Sequence, residues 1–198
     1  GVLEVKASSG DNKLGGKDFD QQLIQYLTKR FQEQHGMDIT DDLSAMVRVR
    51  DEALRCKIAL STQEEYHVQL PVLATKNNIP LAMDEIITRS IFEGLIQDLV
   101  ERTHRPIDTV LSDSGLSKEQ IDKILLVGGS TRVPLVRKDL EEYLGKAPVA
   151  AVDPDYAVAQ GAAIQAAIIS GQIDESSEIM MTDVNPYTLG VRTIRGYD

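Results

Sequence analysis

With 198 residues, 42% of them hydrophobic and 26% charged, the chain is long enough for one generous domain or two small ones on an internal core. Its net charge of −10 argues against a nucleic-acid or anionic-membrane partner, since both need clustered Lys and Arg. No apolar run approaches the roughly 18 residues that span a bilayer, and Gly1-Val2-Leu3-Glu4 lacks the basic flank of a signal peptide, so a cytosolic protein is expected.

Val2 to Ala7 alternates apolar and polar side chains and predicts a strand, followed by a turn at Gly10-Asp11-Asn12. Asp18 is positioned to cap a helix that carries Phe19, Leu23, Ile24, Leu27 and Phe31 on one face and stops at His35-Gly36. A second helix is predicted from near Ser44 through Met46, Val49, Ala53, Cys56 and Leu60 to Ser61-Thr62. Tyr66 to Val72 and Ile79 to Met83 read as a hairpin around Lys76-Asn77-Asn78. From Asp84 to Ser114 Ile87, Ile91, Leu95 and Leu99, then Ile107, Val110 and Leu111, recur at helical spacing, and Pro106 should kink or divide the helix.

The final third changes character. Ile124-Leu125-Leu126-Val127 has the continuous apolar pattern of a strand covered on both faces, and it leads through Gly128-Gly129-Ser130-Thr131 into a helix from Val133 to Leu144. Another helix should follow Asp153-Pro154, with Asp153 as its cap and small residues such as Gly161, Ala162 and Ala163 along it. After an acidic spacer, Ile179 to Met181 and Asp183 to Ile194 read as extended. The expected fold class is α/β, with 1–16 and 116–175 forming one layer, 17–115 an inserted helical and hairpin unit, and 176–198 a tail.

Cys56 has no His or Cys at metal-ligand spacing and reads as core packing; His35, His67 and His104 are too far apart in sequence to suggest a cluster. Gly128-Gly129-Ser130-Thr131-Arg132 occupies the strand-to-helix position where open α/β sheets bind ligands, and its N–H groups could attract phosphate; a simple tight turn is the alternative. Leu14-Gly15-Gly16-Lys17-Asp18 poses the same choice. Lys57 and Ser61 lie one helical turn apart, either as a cation and hydroxyl for one ligand or as solvated surface.

Taken together, Val5 to Asp11, Leu14 to Asp20, Ile124 to Pro134 (ILLVGGSTRVP) and Asp153 to Ala163 (DPDYAVAQGAA) closely resemble the DnaK-type, or seventy-kilodalton heat-shock, chaperones. They stand in that family's order and at its separations. The tail around Asp183-Val184-Asn185-Pro186-Tyr187-Thr188-Leu189-Gly190 resembles the family's interdomain linker and the first strand of its peptide-binding domain, with wording nearest the HscC branch.

The resemblance implies half of an actin-like (ribonuclease H-like) ATPase domain, with ATP or ADP between its subdomains and Mg²⁺ in the intact protein. It implies that Gly128, Gly129, Ser130, Arg132 and Val133 line the nucleotide, Arg132 and Val133 against adenine, with Lys57 and Ser61 reaching adenosine and Asp155 beside the pocket. No catalytic residue and no metal ligand is expected here: the family's catalytic groups and phosphate loops belong before Gly1, so the chain alone is expected not to turn over ATP. Leu54, Lys17 and Tyr156 stand where the family usually has acids, and Thr182 makes the linker-like run more polar than its usual leucines, which implies an altered ribose contact and weaker linker docking. The implied partners are unfolded polypeptide, a nucleotide-exchange factor and a J-domain cochaperone. Because two strands of the family's sheet would precede Gly1, Ile179 to Ile194 is expected to fill the gap beside Val2–Ala7, within the chain or by strand exchange in a dimer.

Three other readings compete. In one the insert is a module for a nucleotide-exchange factor and nucleotide contact is secondary. A sugar kinase of the same actin-like class has no use for the linker-like tail. A dehydrogenase would need Gly-x-Gly-x-x-Gly after a strand, which is missing here.

Overall fold

The computed structural model describes residues 2–149, 153–172 and 180–182, a mixed α/β arrangement. Three helices and a long hairpin enclose one core. The first helix, α1 (Gly16–His35), buries Phe19, Leu23, Ile24, Leu27 and Phe31, spacings that return the side chain to one face every turn. In α2 (Leu43–Leu60) Met46, Val49, Ala53, Cys56 and Leu60 follow one another three or four residues apart, all buried. Phe92, Ile96 and Val100 do the same in α3 (Arg89–Glu101). Between them lie Val68, Leu70, Met83 and Ile87 from the hairpin strands β2 (Glu65–Lys76) and β3 (Ile79–Thr88).

The ends of these elements follow from local chemistry. Asp18 is not the cap of α1. That place is Gly15, and Asp18, three residues inside, accepts a 2.8 Å hydrogen bond from the Gly15 N–H. Gly36 ends α1 with φ 58° and donates its N–H to Gln32 at 2.8 Å. Asp42 caps α2 by accepting from Ala45 N–H at 3.0 Å. Asn77 and Asn78, at φ 53° and 63°, make the two-residue turn that suits the twist of a hairpin. The register slips between Leu70 and Ala74, and Pro71, which has no N–H to give, sits inside that bulge.

The structure corrects several boundaries. Asp84–Thr88 is strand rather than helix, because pairing across the hairpin continues to Glu65↔Thr88 and buries Ile87. The predicted long helix is divided, but at Arg102-Thr103; Pro106 lies in the first turn of α4 (His104–Ser114), where its missing donor costs little. Ile124–Val127 is not a covered strand: Leu125 makes a parallel bridge to Val149, and Leu125 and Val127 are exposed. After a 3₁₀ turn (Gly129–Arg132), α5 (Pro134–Leu144) starts one residue later than expected and packs on α3. Asp153 does not cap the last helix, α6 (Ala157–Ile169); its side chain bonds Asp155 N–H, and its carbonyl accepts from Tyr156 and Ala157 instead.

At the start, β1 (Val2–Glu4) pairs in parallel with β4 (Met180–Thr182), Val2 opposite Met180 and Glu4 opposite Thr182. The polar Thr182 therefore holds a place in this ladder. The expected extended stretch Asp183 to Ile194 lies outside the described residues.

Two outcomes test this core. Ile96→Ala should lower stability by about 3 kcal/mol in urea denaturation, whereas Leu43→Ala, 79% exposed, should change it by less than about 0.5 kcal/mol. Burial pushes the Cys56 thiol up from 9.0 to about 12, helped by nearby Glu52. The folded chain thus keeps the thiol proton at pH values where the unfolded chain has lost it, so this group's contribution to stability is present below pH 9 and declines as pH rises toward 12. Native Cys56 should resist iodoacetamide at pH 8.5 and react fully in urea; rapid native alkylation would contradict its burial.

Candidate functional site

Gly16 is the meeting point of three elements. A methyl group placed on its α carbon would stand 2.9 Å from Ser130 Oγ and 3.3 Å from Lys57 Nζ. The hydroxyl of the 3₁₀ turn and the ammonium of α2 therefore lie within about 6 Å of each other, at the mouth of α1. Glycine leaves room for both groups, since an alanine methyl would make Ser130 Oγ shift and Lys57 Nζ give by a few tenths of an ångström.

Lys57 is held from two sides. Its Nζ donates to the Gly16 carbonyl at 3.0 Å and lies 2.8 Å from Asp20 Oδ1, with the two side chains only 16% and 19% exposed. The Asp20 oxygen is otherwise without a hydrogen-bond partner, and its contact with the ammonium is an ion pair without good hydrogen-bond direction. One turn on, Ser61 Oγ donates to the Lys57 carbonyl at 3.2 Å.

A second set of contacts fixes the glycine turn. Gly128 adopts φ 92° and ψ 153°, a conformation that a residue with a β carbon adopts only under strain, and its N–H donates to the Pro154 carbonyl at 2.9 Å. Arg132 reaches the same facing turn, 2.5 Å from Asp155 and 3.3 Å from Asp153. Hydrogen bonding to Asp155 raises the already high pKa of Arg132, which stays a cation at any working pH. Gly129 lies close by: a β carbon there would be 4.0 Å from Asp155 Oδ1.

The eight residues expected to line a ligand thus form two linked groups. Lys57 and Ser130 converge on Gly16, with Ser61 next along α2; Gly128, Gly129, Arg132 and Asp155 form the neighbouring turn-to-turn contact. Val133 is the exception, for its side chain is 2% exposed and belongs to the core. Sequence reasoning quoted Asp20 in the Leu14–Asp20 motif but did not name it as a site residue. It sits one helical turn after Gly16, and nothing local marks it as the counterion of a lysine 37 positions later.

The arrangement offers two hydroxyls and glycine backbone that a ligand can approach closely, beside two cations, Lys57 and Arg132, that are already paired with carboxylates. Among the described residues no group of three His, Cys, Asp or Glu could hold a metal ion, and Asp20, Asp153 and Asp155 are already engaged by cations. His67 and His104 pair instead with Asp84 and Asp139, each at 2.6 Å.

Comparison with known proteins gives a consistent result. The family model "Hsp70 protein" matches residues 1–197. The chain is 47% identical over 197 residues to the chaperone protein DnaK of Thermosipho africanus, and 48% identical over 198 residues to that of Thermotoga maritima. Each match covers 99% of this chain and 33% of the relative, so the chain spans about a third of the length of these relatives.

The two glycines should respond differently to alanine. Gly128→Ala forces a side chain into a strained conformation and should cost about 1–3 kcal/mol in thermal or urea unfolding. Gly16→Ala should cost less than about 1 kcal/mol, because Ser130 Oγ can rotate and Lys57 Nζ need give only a few tenths of an ångström within its ion pair, yet it should shift the NMR resonances of both residues.

Proposed function

We propose that this chain, which belongs to the Hsp70 family, is the nucleotide-binding lobe of an ATP-dependent protein-folding chaperone and that its Gly16–Lys57–Ser130 cleft holds adenine nucleotide. The convergence of the α2 ammonium and the 3₁₀-turn hydroxyl on Gly16 carries this reading. Lys57 and Ser61 present a cation and a hydroxyl to the sugar side of the nucleotide. Gly128 and Gly129 let it approach the backbone, and Arg132, steadied by Asp155, borders it.

Among the described residues no three His, Cys, Asp or Glu group as a metal site, and Mg²⁺ in the intact protein would be held chiefly through the nucleotide's phosphates and water. Lys57, Ser130 and Arg132 bind and orient; none is positioned as a general base. The actin-like domain division at 17–115 and 116–175 belongs to the same proposal, as does a place near the HscC branch, which the wording of Ala7-Ser8-Ser9-Gly10-Asp11-Asn12 and Pro186 to Gly190 supports. The intact protein would act in the cytoplasm on unfolded polypeptide, with a J-domain cochaperone and a nucleotide-exchange factor. The ladder Val2–Glu4 with Met180–Thr182 supports coupling between this lobe and the linker-like tail.

A second reading has its own observation. The hairpin carries exposed Val72, Ile79 and Ile86 on a unit with its own core, which suits recognition of that unit by an exchange factor.

NMR titration of the chain with ADP to millimolar concentration tests the first reading. The amides of Gly16, Lys57, Gly129 and Ser130 should move together, and Lys57→Met or Arg132→Ala should weaken binding about tenfold, the loss of one charged hydrogen bond. Shifts confined to the hairpin, or affinity indifferent to both variants, would rule the site out.

A further inference from the structure

Between the loop at Ser9–Asn12 and the junction of α3 with α4 lies a cavity of about 410 Å³, and none of the residues assigned to the nucleotide lines it. Its helical wall carries Arg102, which closes α3, and Arg105, in the first turn of α4. Arg102 and Thr103, between the two helices, keep helical dihedral angles, so residues 102 and 105 stand about one turn apart on the same face. The facing wall brings Ser9, Asp11 and Asn12.

The charges on these walls do not cancel. Arg102 lies 2.5 Å from Asp11 Oδ2, and the other Asp11 oxygen accepts the Lys13 N–H at 2.9 Å. The Lys13 N–H, and then Arg102, hold the Asp11 carboxyl below the usual carboxylate range, so Asp11 and Arg102 neutralise each other. Arg105 enters no ion pair among the described residues: Asp108, three positions on, takes the Tyr143 hydroxyl, and Glu101 takes the Gln97 amide at 2.8 Å. On a chain of net charge −10, this cavity holds a cation without a counterion.

Arg102 gives Asp11 one nitrogen and keeps N–H groups for a second acceptor. Ser9 and Asn12 add a hydroxyl and an amide on the opposite side. A planar carboxylate is satisfied by a single arginine fork, whereas a phosphate group has three oxygens and up to two charges and can use donors on both walls at once. The volume falls in the range of small-molecule pockets, more than a bare ion fills. We propose that this cavity is a phosphate-binding site, separate from the nucleotide cleft, in which Arg105 and the remaining N–H groups of Arg102 hold the phosphate of a small phosphate monoester. It stands whether or not the cleft at Gly16 takes nucleotide.

The test is NMR titration of the chain, at pH 7.5 and constant ionic strength, with glycerol 3-phosphate, inorganic phosphate and acetate in turn. Glycerol 3-phosphate should shift the amides of Gly10, Asn12 and Arg105 with a dissociation constant of about 1 mM, while inorganic phosphate binds the same residues about threefold and acetate about tenfold more weakly. Arg105→Gln, at an exposed position, should weaken glycerol 3-phosphate about tenfold with the urea midpoint unchanged. Lys138→Gln, at an exposed lysine of α5, should leave the affinity within about twofold. Shifts that fail to saturate by about 50 mM overturn the proposal, and so does equal or tighter binding of inorganic phosphate or acetate. An equal loss in the two variants overturns it as well, since that marks diffuse attraction to surface cations.

Discussion

The charge of Lys57 organises the junction on which everything else depends. It leaves α2, touches the carbonyl that opens α1, and neutralises Asp20 one turn further along. A carboxylate so little exposed is costly unless paired, so α1 and α2 are tied at this corner by electrostatics as well as by the apolar faces below it. Ser130 is drawn into the same corner because Gly16 leaves room for it. Interlocked side chains set where along the helix α1 and α2 meet, and the ion pair adds a polar contact at one end of that interface.

The rest of the molecule divides according to what it buries. The unit of α1, α2, α3 and the hairpin has a continuous interior, with Phe31, Phe92, Leu23, Leu27, Ile96 and Val68 almost wholly excluded from water. Beyond Ser114 the described residues add only Val133 and Leu135 to that interior. The α6 helix, rich in alanine and carrying Val158, Ile164 and Ile169, buries none of its residues. The glycine turn therefore leans on the first unit through Val133 and Leu135, and on the Asp153-Pro154-Asp155 turn through Arg132 and Gly128.

Much of this was legible in the residues. The periodicity of Phe19 to Phe31 and of Met46 to Leu60 identifies their helices, since a side chain that must return to one face every 3.6 residues leaves a pattern that solvent exposure does not blur. Asn77-Asn78 gives the hairpin turn in the same local way. Ile87 was misread because an apolar residue in a short window fits strand or helix alike, and only the pairing across to Tyr66 decides. The run Ile124–Val127 was misread for the opposite reason: its composition describes a covered strand, but cover is supplied by neighbours and not by the run itself. At the site, Lys57 and the glycine turn were recognisable as candidates through the family's motifs, and their meeting at Gly16 was not, because it joins segments 41 and 73 positions apart in the chain on either side of Lys57. Asp20 lies within the Leu14–Asp20 motif, but nothing in that segment names Lys57 as its partner.

The ladder between Val2–Glu4 and Met180–Thr182 has an entropic consequence. It closes a ring of about 180 residues with three residue pairs, and closing a free chain of that length carries an entropic cost of about 4.6 kcal/mol. Three parallel pairs cannot meet that cost unaided; the ring must already be shortened by the helices and hairpin folded within it. This strand pair accordingly depends on the elements folded within the ring it closes.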